Sequence, residues 1–136
     1  MRVYDDLIAV KGNGTPFDKL ERVDSRKLVQ TSASTGSLPT DYISFLAEVG
    51  FGEFGSAGYM LYDGLLEPYE VYGDTPVHLR DVLLFGDDFL GFNTGYKTDT
   101  WSVIEIDPTN MLPTVIAPDF STFIRKKIHE LTLTRE

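Results

Sequence analysis

The side chains that most often carry catalysis are sparse in this 136-residue chain. The two histidines, His78 and His129, lie far apart in the sequence, and neither belongs to an H-x-x-x-H or comparable ligand spacing. No serine occupies a G-x-S-x-G context, and cysteine is absent. The sequence therefore argues against an enzyme with a serine or thiol nucleophile, and against disulfides and thiolate metal sites.

Acidic side chains offer two further kinds of chemistry. Glu105 and Asp107 share one face of a predicted strand, so they could be the paired carboxylates of a glycosidase or simply solvated surface charge. Asp87 and Asp88 could form a metal pair, but adjacent side chains on an extended strand point apart, and the alternating acids of a calcium loop are missing. A turn or a partner-binding edge is the favoured interpretation. No metal ion and no cofactor are expected.

One glycine-rich segment matches a nucleotide-binding pattern. The residues Gly50-Phe-Gly-Glu-Phe-Gly55 fit the dinucleotide pattern G-x-G-x-x-G. That pattern binds a pyrophosphate when a strand precedes it and a helix follows, because the helix N-terminus supplies the N–H donors. Here a predicted helix precedes the glycines and predicted strands follow them. The segment is therefore interpreted as the end of a helix and a loop.

Charge is the strongest compositional signal in the sequence. The formal net charge is −9, and residues 28 to 124 carry 14 acidic side chains against two basic ones, Arg80 and Lys97, which gives −12 for that segment. Such a surface repels nucleic acid and anionic membranes and steers a basic protein partner toward it. Without a visible signal peptide, membrane span or cysteine, the expected location is the cytoplasm.

Apolar spacing predicts four helices. Short helices are expected at residues 2 to 10 and 15 to 23, with a flexible loop at residues 31 to 37. The clearest helix begins at Pro39, a favoured first helical position, and stops at Gly50. A last helix begins at Pro118. The inward stripes of these last two helices comprise Tyr42, Phe45, Leu46 and Val49, and Phe120, Phe123, Ile124, Ile128 and Leu131, respectively.

Between the helices the pattern changes to short apolar runs separated by Gly, Pro and Asp, which is typical of strands. These runs cover residues 59–62, 82–85, 89–92 and 101–106, and residues 114–116 are interpreted as an edge strand. Residues 93–100 are interpreted as a hairpin connection. The sequence thus predicts one α+β domain over residues 1–136, with a mainly antiparallel sheet between N-terminal helices and a C-terminal helix.

A resemblance to a known family begins at Leu38-Pro39-Thr40-Asp41-Tyr42-Ile43-Ser44-Phe45-Leu46, followed by Gly50 and Gly52. This segment resembles the signature of the SUKH superfamily, which includes fungal cell-wall assembly regulators and many bacterial proteins. Residues 82–88, 92–107 and 117–123 look like the later blocks of that family in their usual order. The insert at residues 11–37 is longer than the family pattern. The resemblance implies an α+β fold, no enzymatic activity and, for bacterial members, an immunity protein that neutralises a secreted toxin, often a nuclease.

Charge and resemblance together favour one hypothesis, a cytoplasmic immunity protein that binds a basic toxin domain. Asp63, Asp87, Asp88 and Asp99 lie at predicted strand ends and turns, so they are the predicted partner contacts. Tyrosines interleaved with acids in the middle of the chain suit recognition of a basic surface. A regulatory adaptor in signalling or cell-envelope assembly is the alternative, and a small carboxylate-based hydrolase is a weaker one.

Overall fold

A computed structural model describes residues 3–24, 26 and 38–133, which form a six-stranded sheet with α-helices on both of its faces. The strand order is β1-β2-β3-β4-β5-β6, and each strand pairs antiparallel with the next one in the sequence. The strands are Gly52–Phe54, Tyr59–Leu66, Val82–Asp87, Asn93–Lys97, Ser102–Ile106 and Pro113–Ala117. The predicted α+β class with an antiparallel sheet is confirmed.

The α-helices in the described residues are α1 (Asp5–Val10), α2 (Thr40–Glu48), α3 (Pro68–Tyr72) and α4 (Phe120–Leu133). Three of them, α1, α2 and α4, share one core with the first face of the sheet. Within the described residues, no helix combines the length and the apolar character that crossing a membrane requires. The predictions of α2 and α4 are confirmed, whereas α1 is shorter than predicted. The loop predicted at residues 31–37 lies outside the described residues, as does most of the insert after residue 24.

Gly50 ends α2, as the sequence predicts. Its φ of 127° lies in a region that favours glycine, and a Cβ atom there would lie 2.6 Å from the carbonyl oxygen of Glu21. Asp41, in the first turn of α2, accepts the backbone N–H of Tyr42 at 2.8 Å and that of Ser121 at 2.9 Å. One carboxylate therefore stabilises the positive N-terminal ends of both α2 and α4.

An aromatic cluster fills the space between the first face and the helices. The ring centroid of Phe85 on β3 lies 5.9 Å from that of Tyr42, 5.2 Å from Tyr96, 5.3 Å from Phe120 and 5.6 Å from Phe123. All five side chains are buried. Tilted and edge-on ring pairs of this kind contribute about 0.5–1.5 kcal/mol each beyond the burial of area. The apolar stripes predicted for α2 and α4 therefore meet at Phe85.

The second face of the sheet is covered by residues 67–81, named here the α3 arm. The arm contains α3 and a 3-10 turn at Val77–Leu79. Glu67 and Glu70 form a capping box at the start of α3, and Gly73 ends the helix with a φ of 78°. Leu79 of the arm packs in one buried cluster with Val82, Leu84, Ile104 and Ile106 of the sheet, and Tyr72 and Met111 pack against this cluster.

The helix predicted at residues 15–23 is wrong. Residues 16–19 form turns, and Glu21 pairs with Phe51 through two backbone hydrogen bonds of 3.0 and 2.9 Å. The Asp18 carboxylate accepts the N–H groups of Gly12 at 2.7 Å and Gly14 at 2.8 Å, which folds this segment back on the residues before it. Pairing with Phe51 and capping by Asp18 thus replace helical hydrogen bonds. The side chains predicted to point inward, Phe17, Leu20 and Val23, are nevertheless buried.

Two predictions near the centre of the sheet are also wrong. Residues 89–92, predicted as a strand, form a turn, and Phe89 has a φ of 67° that no extended strand adopts. Residues 93–100, predicted as a connection, contain β4. Asn93 and Thr94 are buried there, and Gly95 lies so close to β3 that a Cβ atom would be 2.2 Å from the carbonyl oxygen of Leu83. The edge strand predicted at residues 114–116 is confirmed within β6.

Candidate protein-binding surface

The turn at residues 88–92, named here the β3–β4 turn, is held by four hydrogen bonds. Asp88 Oδ1 accepts the backbone N–H of Leu90 at 2.8 Å and that of Phe92 at 3.0 Å, while the N–H of Asp88 donates to the carbonyl of Phe92 at 3.1 Å. Asp87 Oδ1 accepts the N–H of Phe89 at 2.9 Å. The turn is thereby fixed with Leu90 at its tip, where the side chain is 81% exposed.

A chain of side-chain hydrogen bonds joins the α3 arm to the β3–β4 turn. The hydroxyl of Tyr72 donates to Asn93 Oδ1 at 2.9 Å, Asn93 Nδ2 donates to the hydroxyl of Tyr62 at 3.1 Å, and that hydroxyl donates to Asp87 Oδ2 at 2.7 Å. Asn93 Nδ2 also contacts the carbonyl oxygen of Gly86 at 3.2 Å. This group of Tyr72, Asn93, Tyr62 and Asp87 is named here the tyrosine–asparagine network.

Burial and charge both act on the tyrosines of this network. Burial, followed by the hydrogen bond to Asp87, raises the pKa of Tyr62 well above its usual value. Burial, followed by the charge of Asp87, raises the pKa of Tyr72 to about 12. Both hydroxyls therefore stay protonated at neutral pH, so Tyr62 can donate to Asp87 and Tyr72 can donate to Asn93.

The α3 arm places apolar side chains among carboxylates. Tyr69 is 57% exposed and Val77 is 61% exposed. Residues 67–81 carry four acidic side chains, Glu67, Glu70, Asp74 and Asp81, and one basic side chain, Arg80. Protein interfaces commonly combine aromatic anchors with a polar rim. The exposed part of the arm therefore combines apolar side chains with an excess of negative charge.

The structure brings together two of the four predicted contact residues. Asp87 and Asp88 lie side by side at the β3–β4 turn, where both carboxylates also hold the backbone of that turn. Asp63 lies half-buried in the middle of β2, and its charge is the second cause, after burial, of a raised pKa at Tyr42. Asp99 is in the turn after β4, at the opposite end of that strand.

The separation follows from the register of β3 and β4. Asp87 pairs with Asn93 at one end, and Val82 pairs with Lys97 at the other, so Asp99 lies about 15 Å away along the strands. The exposure of Leu90 could not be predicted from the sequence, because its apolar run predicts a strand. The only sequence signal for the α3 arm is the interleaving of tyrosines with acids, and Tyr69 and Tyr72 of that pattern lie in the arm.

The carboxylates proposed for hydrolysis differ in their surroundings. Glu105 lines a cleft of about 200 Å³ beside β6 and α4, and burial raises the pKa of its carboxyl while Lys127 opposes that shift. Asp107 lies beyond the end of β5, where hydrogen bonds from Thr109 lower the pKa of its carboxyl. Pockets for small ligands usually measure about 300–1,000 Å³. The cleft at Glu105 is therefore small for a substrate site.

The remaining candidate side chains are either already hydrogen-bonded within the chain or lie on separate elements. Depressions of about 320 and 410 Å³ beside the N-terminal segment share Asp18, whose carboxylate is already held by backbone N–H groups. The two histidines lie exposed on separate elements, His78 on the α3 arm and His129 on α4. Over the described ranges, no group of three or more His, Asp or Glu side chains is arranged to hold a metal ion.

Comparison of the chain with protein-family models and with curated proteins found no match.

Proposed function

We propose that this chain is a binding protein whose α3 arm and β3–β4 turn dock onto a basic protein domain. The observation that carries the proposal is the exposed Leu90, presented at the tip of a turn that Asp87 and Asp88 fix by hydrogen bonds. An apolar side chain on a rigid turn binds without a large loss of conformational entropy. A catalytic site would not need an apolar side chain exposed to solvent in this way.

The negative charge of the α3 arm determines which kind of partner the surface attracts. Glu67, Glu70 and Asp74 on the α3 arm lie near apolar side chains that could form the centre of an interface, and a basic surface would complement them. Exposed charges at a rim contribute mainly to the rate of association, whereas buried apolar anchors slow dissociation. The tyrosine–asparagine network would keep both parts of the surface in a fixed relation.

The resemblance to the SUKH superfamily extends this proposal to an immunity protein that neutralises a cognate secreted toxin, with a nuclease-type domain as the basic partner. A nuclease must attract phosphate, so its active surface is commonly positive, and an acidic inhibitor that covers this surface would block substrate access. A regulatory adaptor could use the same surface on a different partner. The identity of the captured partner separates these two functions.

The first experiment is a pull-down with the tagged chain as bait at low and moderate salt, followed by an activity assay of the captured protein. A toxin domain whose activity the chain abolishes supports immunity. Reproducible capture of signalling or envelope-assembly proteins, with no inhibited activity, supports the adaptor instead. A search for hydrolase activity with and without divalent metal ions tests the weaker enzymatic alternative directly.

The binding surface is then tested with matched substitutions. Leu90→Ser is expected to weaken binding by about tenfold or more, mainly through faster dissociation, because it removes an apolar anchor. The control is Leu133→Ser on α4, where the leucine is 68% exposed and lies on another element. Equal affinity of Leu90→Ser and the unsubstituted chain would show that the partner binds elsewhere.

Charge is tested with a second matched pair. Asp74→Asn on the α3 arm and Asp99→Asn beyond β4 remove the same charge at different places. If the α3 arm forms the interface, Asp74→Asn slows association more and leaves it less sensitive to salt. An equal or larger effect of Asp99→Asn would place part of the interface at the end of β4 away from the β3–β4 turn. That outcome would agree with the prediction of Asp99 as a contact residue.

A further inference from the structure

The two edges of the sheet differ in how they are covered. Beside β1, Glu21 pairs with Phe51 through backbone hydrogen bonds, and the N–H of Gly55 donates to the carbonyl of Pro16 at 2.7 Å. The N-terminal segment thus protects this edge. At the other edge, β6 pairs with β5, and no other strand of the described residues joins it. Within the described part of the chain, the outer side of β6 is therefore open to a further strand.

The sequence of β6 restricts such pairing toward its ends but does not oppose it at its centre. Edge strands are commonly protected by charged side chains, prolines or bulges. The five residues Pro113–Ala117 include no charge, and Val115 at the centre is 60% exposed. Pro113 lies at the first position of the strand, and a register shift makes Ile116 an extra residue opposite β5. These two features limit the length of a pairing segment but place no repulsive group at its centre.

Charge in the cleft beside β6 is more balanced than the net charge of the chain. The adjacent cleft is lined by Glu105 and Glu130 and by Lys126 and Lys127, so its acids and bases balance. The chain as a whole carries −9. A second copy is therefore repelled on average, and the repulsion is weaker where the local charge is balanced. In a two-fold arrangement, lysines of one copy can also face glutamates of the other.

We propose that β6 is the contact surface for a second copy of this chain, which pairs antiparallel with it about a two-fold axis centred near Val115. Such pairing joins two six-stranded sheets into one continuous sheet, and a two-fold contact uses the same patch on both copies. The dimer leaves the α3 arm and the β3–β4 turn outside the contact. Partner binding and dimer formation therefore depend on different surfaces.

The test is sedimentation velocity over a range of concentrations of the full chain. Val115→Lys places two like charges near the axis and is expected to weaken the dimer by about tenfold or more. Val77→Lys is the matched control, because Val77 on the α3 arm is 61% exposed and the substitution is identical. Circular dichroism and thermal unfolding establish that both variants fold.

Mixing and salt provide two further readouts. Val115→Lys mixed with Val115→Glu should restore a dimer, because opposite charges then face each other across the axis. Added salt should strengthen the dimer of the unsubstituted chain, since it screens the repulsion between two copies of charge −9. Binding to a basic partner should weaken under the same conditions. The opposite salt responses keep the two proposals distinguishable.

Three results would overturn the proposal. They are an unsubstituted chain that stays monomeric at every concentration, a dimer that Val115→Lys leaves intact, and a dimer that Val77→Lys weakens equally. If the unsubstituted chain is monomeric and Val115→Lys instead reduces capture of the basic partner, β6 pairs with a strand of that partner.

Discussion

Replacing Asn93 with alanine tests whether the tyrosine–asparagine network holds the proposed binding surface together. Asn93 is 5% exposed, and its amide makes three hydrogen bonds, to Tyr72, Tyr62 and Gly86. Each intramolecular hydrogen bond contributes about 0.5–1.5 kcal/mol net, and leaving buried groups without partners adds to the loss. The two tyrosine hydroxyls are only part-buried, so water can replace some of the lost bonds. The expected decrease in the free energy of unfolding for Asn93→Ala is therefore about 2–3 kcal/mol.

Urea unfolding measures that decrease, and Tyr72→Phe provides the control because it removes one bond of the network and leaves Asn93 in place. Tyr72→Phe should cost about 1 kcal/mol, and it should cost almost nothing in the Asn93→Ala background, where its partner is already absent. Amide hydrogen exchange of α3 should be faster in Asn93→Ala, because the hydrogen bond from Tyr72 in the arm to Asn93 on β4 is lost.

A stability loss below about 1 kcal/mol for Asn93→Ala would refute the reasoning, since it would mean that solvent satisfies these groups as well as the protein does. Additive costs in the double variant would refute the attribution to a shared hydrogen bond. Unchanged exchange of α3 would show that packing over the second face, and not the network, holds the arm.

Two further predictions concern other tyrosines and the response to alkali. The hydroxyl of Tyr42 is buried with no hydrogen-bond partner among the described residues, so Tyr42→Phe should leave stability unchanged or raise it. Tyr59→Phe removes a hydrogen bond with Thr94 and should lower stability by about 1 kcal/mol. Thermal unfolding of both variants measures the difference. Because the folded pKa of Tyr72 is raised from 10.0 to about 12, its neutral form is favoured by folding. That contribution is complete below pH 10 and is lost as the pH rises toward 12. Ultraviolet titration of tyrosinate in the folded chain, with urea unfolding at each pH, checks this prediction. Ionisation of Tyr72 at its ordinary pKa would contradict it.

The elements that the sequence predicted well are those whose signals are local. α2 and α4 each combine an apolar stripe with a defined start, and α2 also has a glycine stop that steric contact with Glu21 makes necessary. β4 could not be predicted in this way, because its buried polar residues Asn93 and Thr94 depend on hydrogen bonds with residues of β2 and the α3 arm. An apolar run, conversely, predicted a strand where Phe89 and Leu90 form an exposed turn.

The candidate surface was predictable in composition but not in shape. Counting charges located the acidity in the middle of the chain, and the interleaved tyrosines indicated the α3 arm. Whether Asp63, Asp87, Asp88 and Asp99 lie together depends on the register of the strands, which places Asp99 at the end of β4 opposite Asp87 and Asp88. α3 has one local signal, the capping box of Glu67 and Glu70, but a helix of five residues is too short to show an apolar period.

The strand order of the sheet also determines how folding can proceed while the chain is being synthesised. Each strand pairs with the next strand to emerge; four of the five connections are short loops, and the fifth, between β2 and β3, is the α3 arm. α4 follows all six strands, and it supplies four buried side chains of the core, Phe120, Phe123, Ile124 and Ile128. A nascent chain with a complete sheet therefore still exposes the aromatic residues of its first face. Premature termination before α4 would leave that surface open to aggregation and to proteases, which gives the cell a physical means of removing incomplete copies.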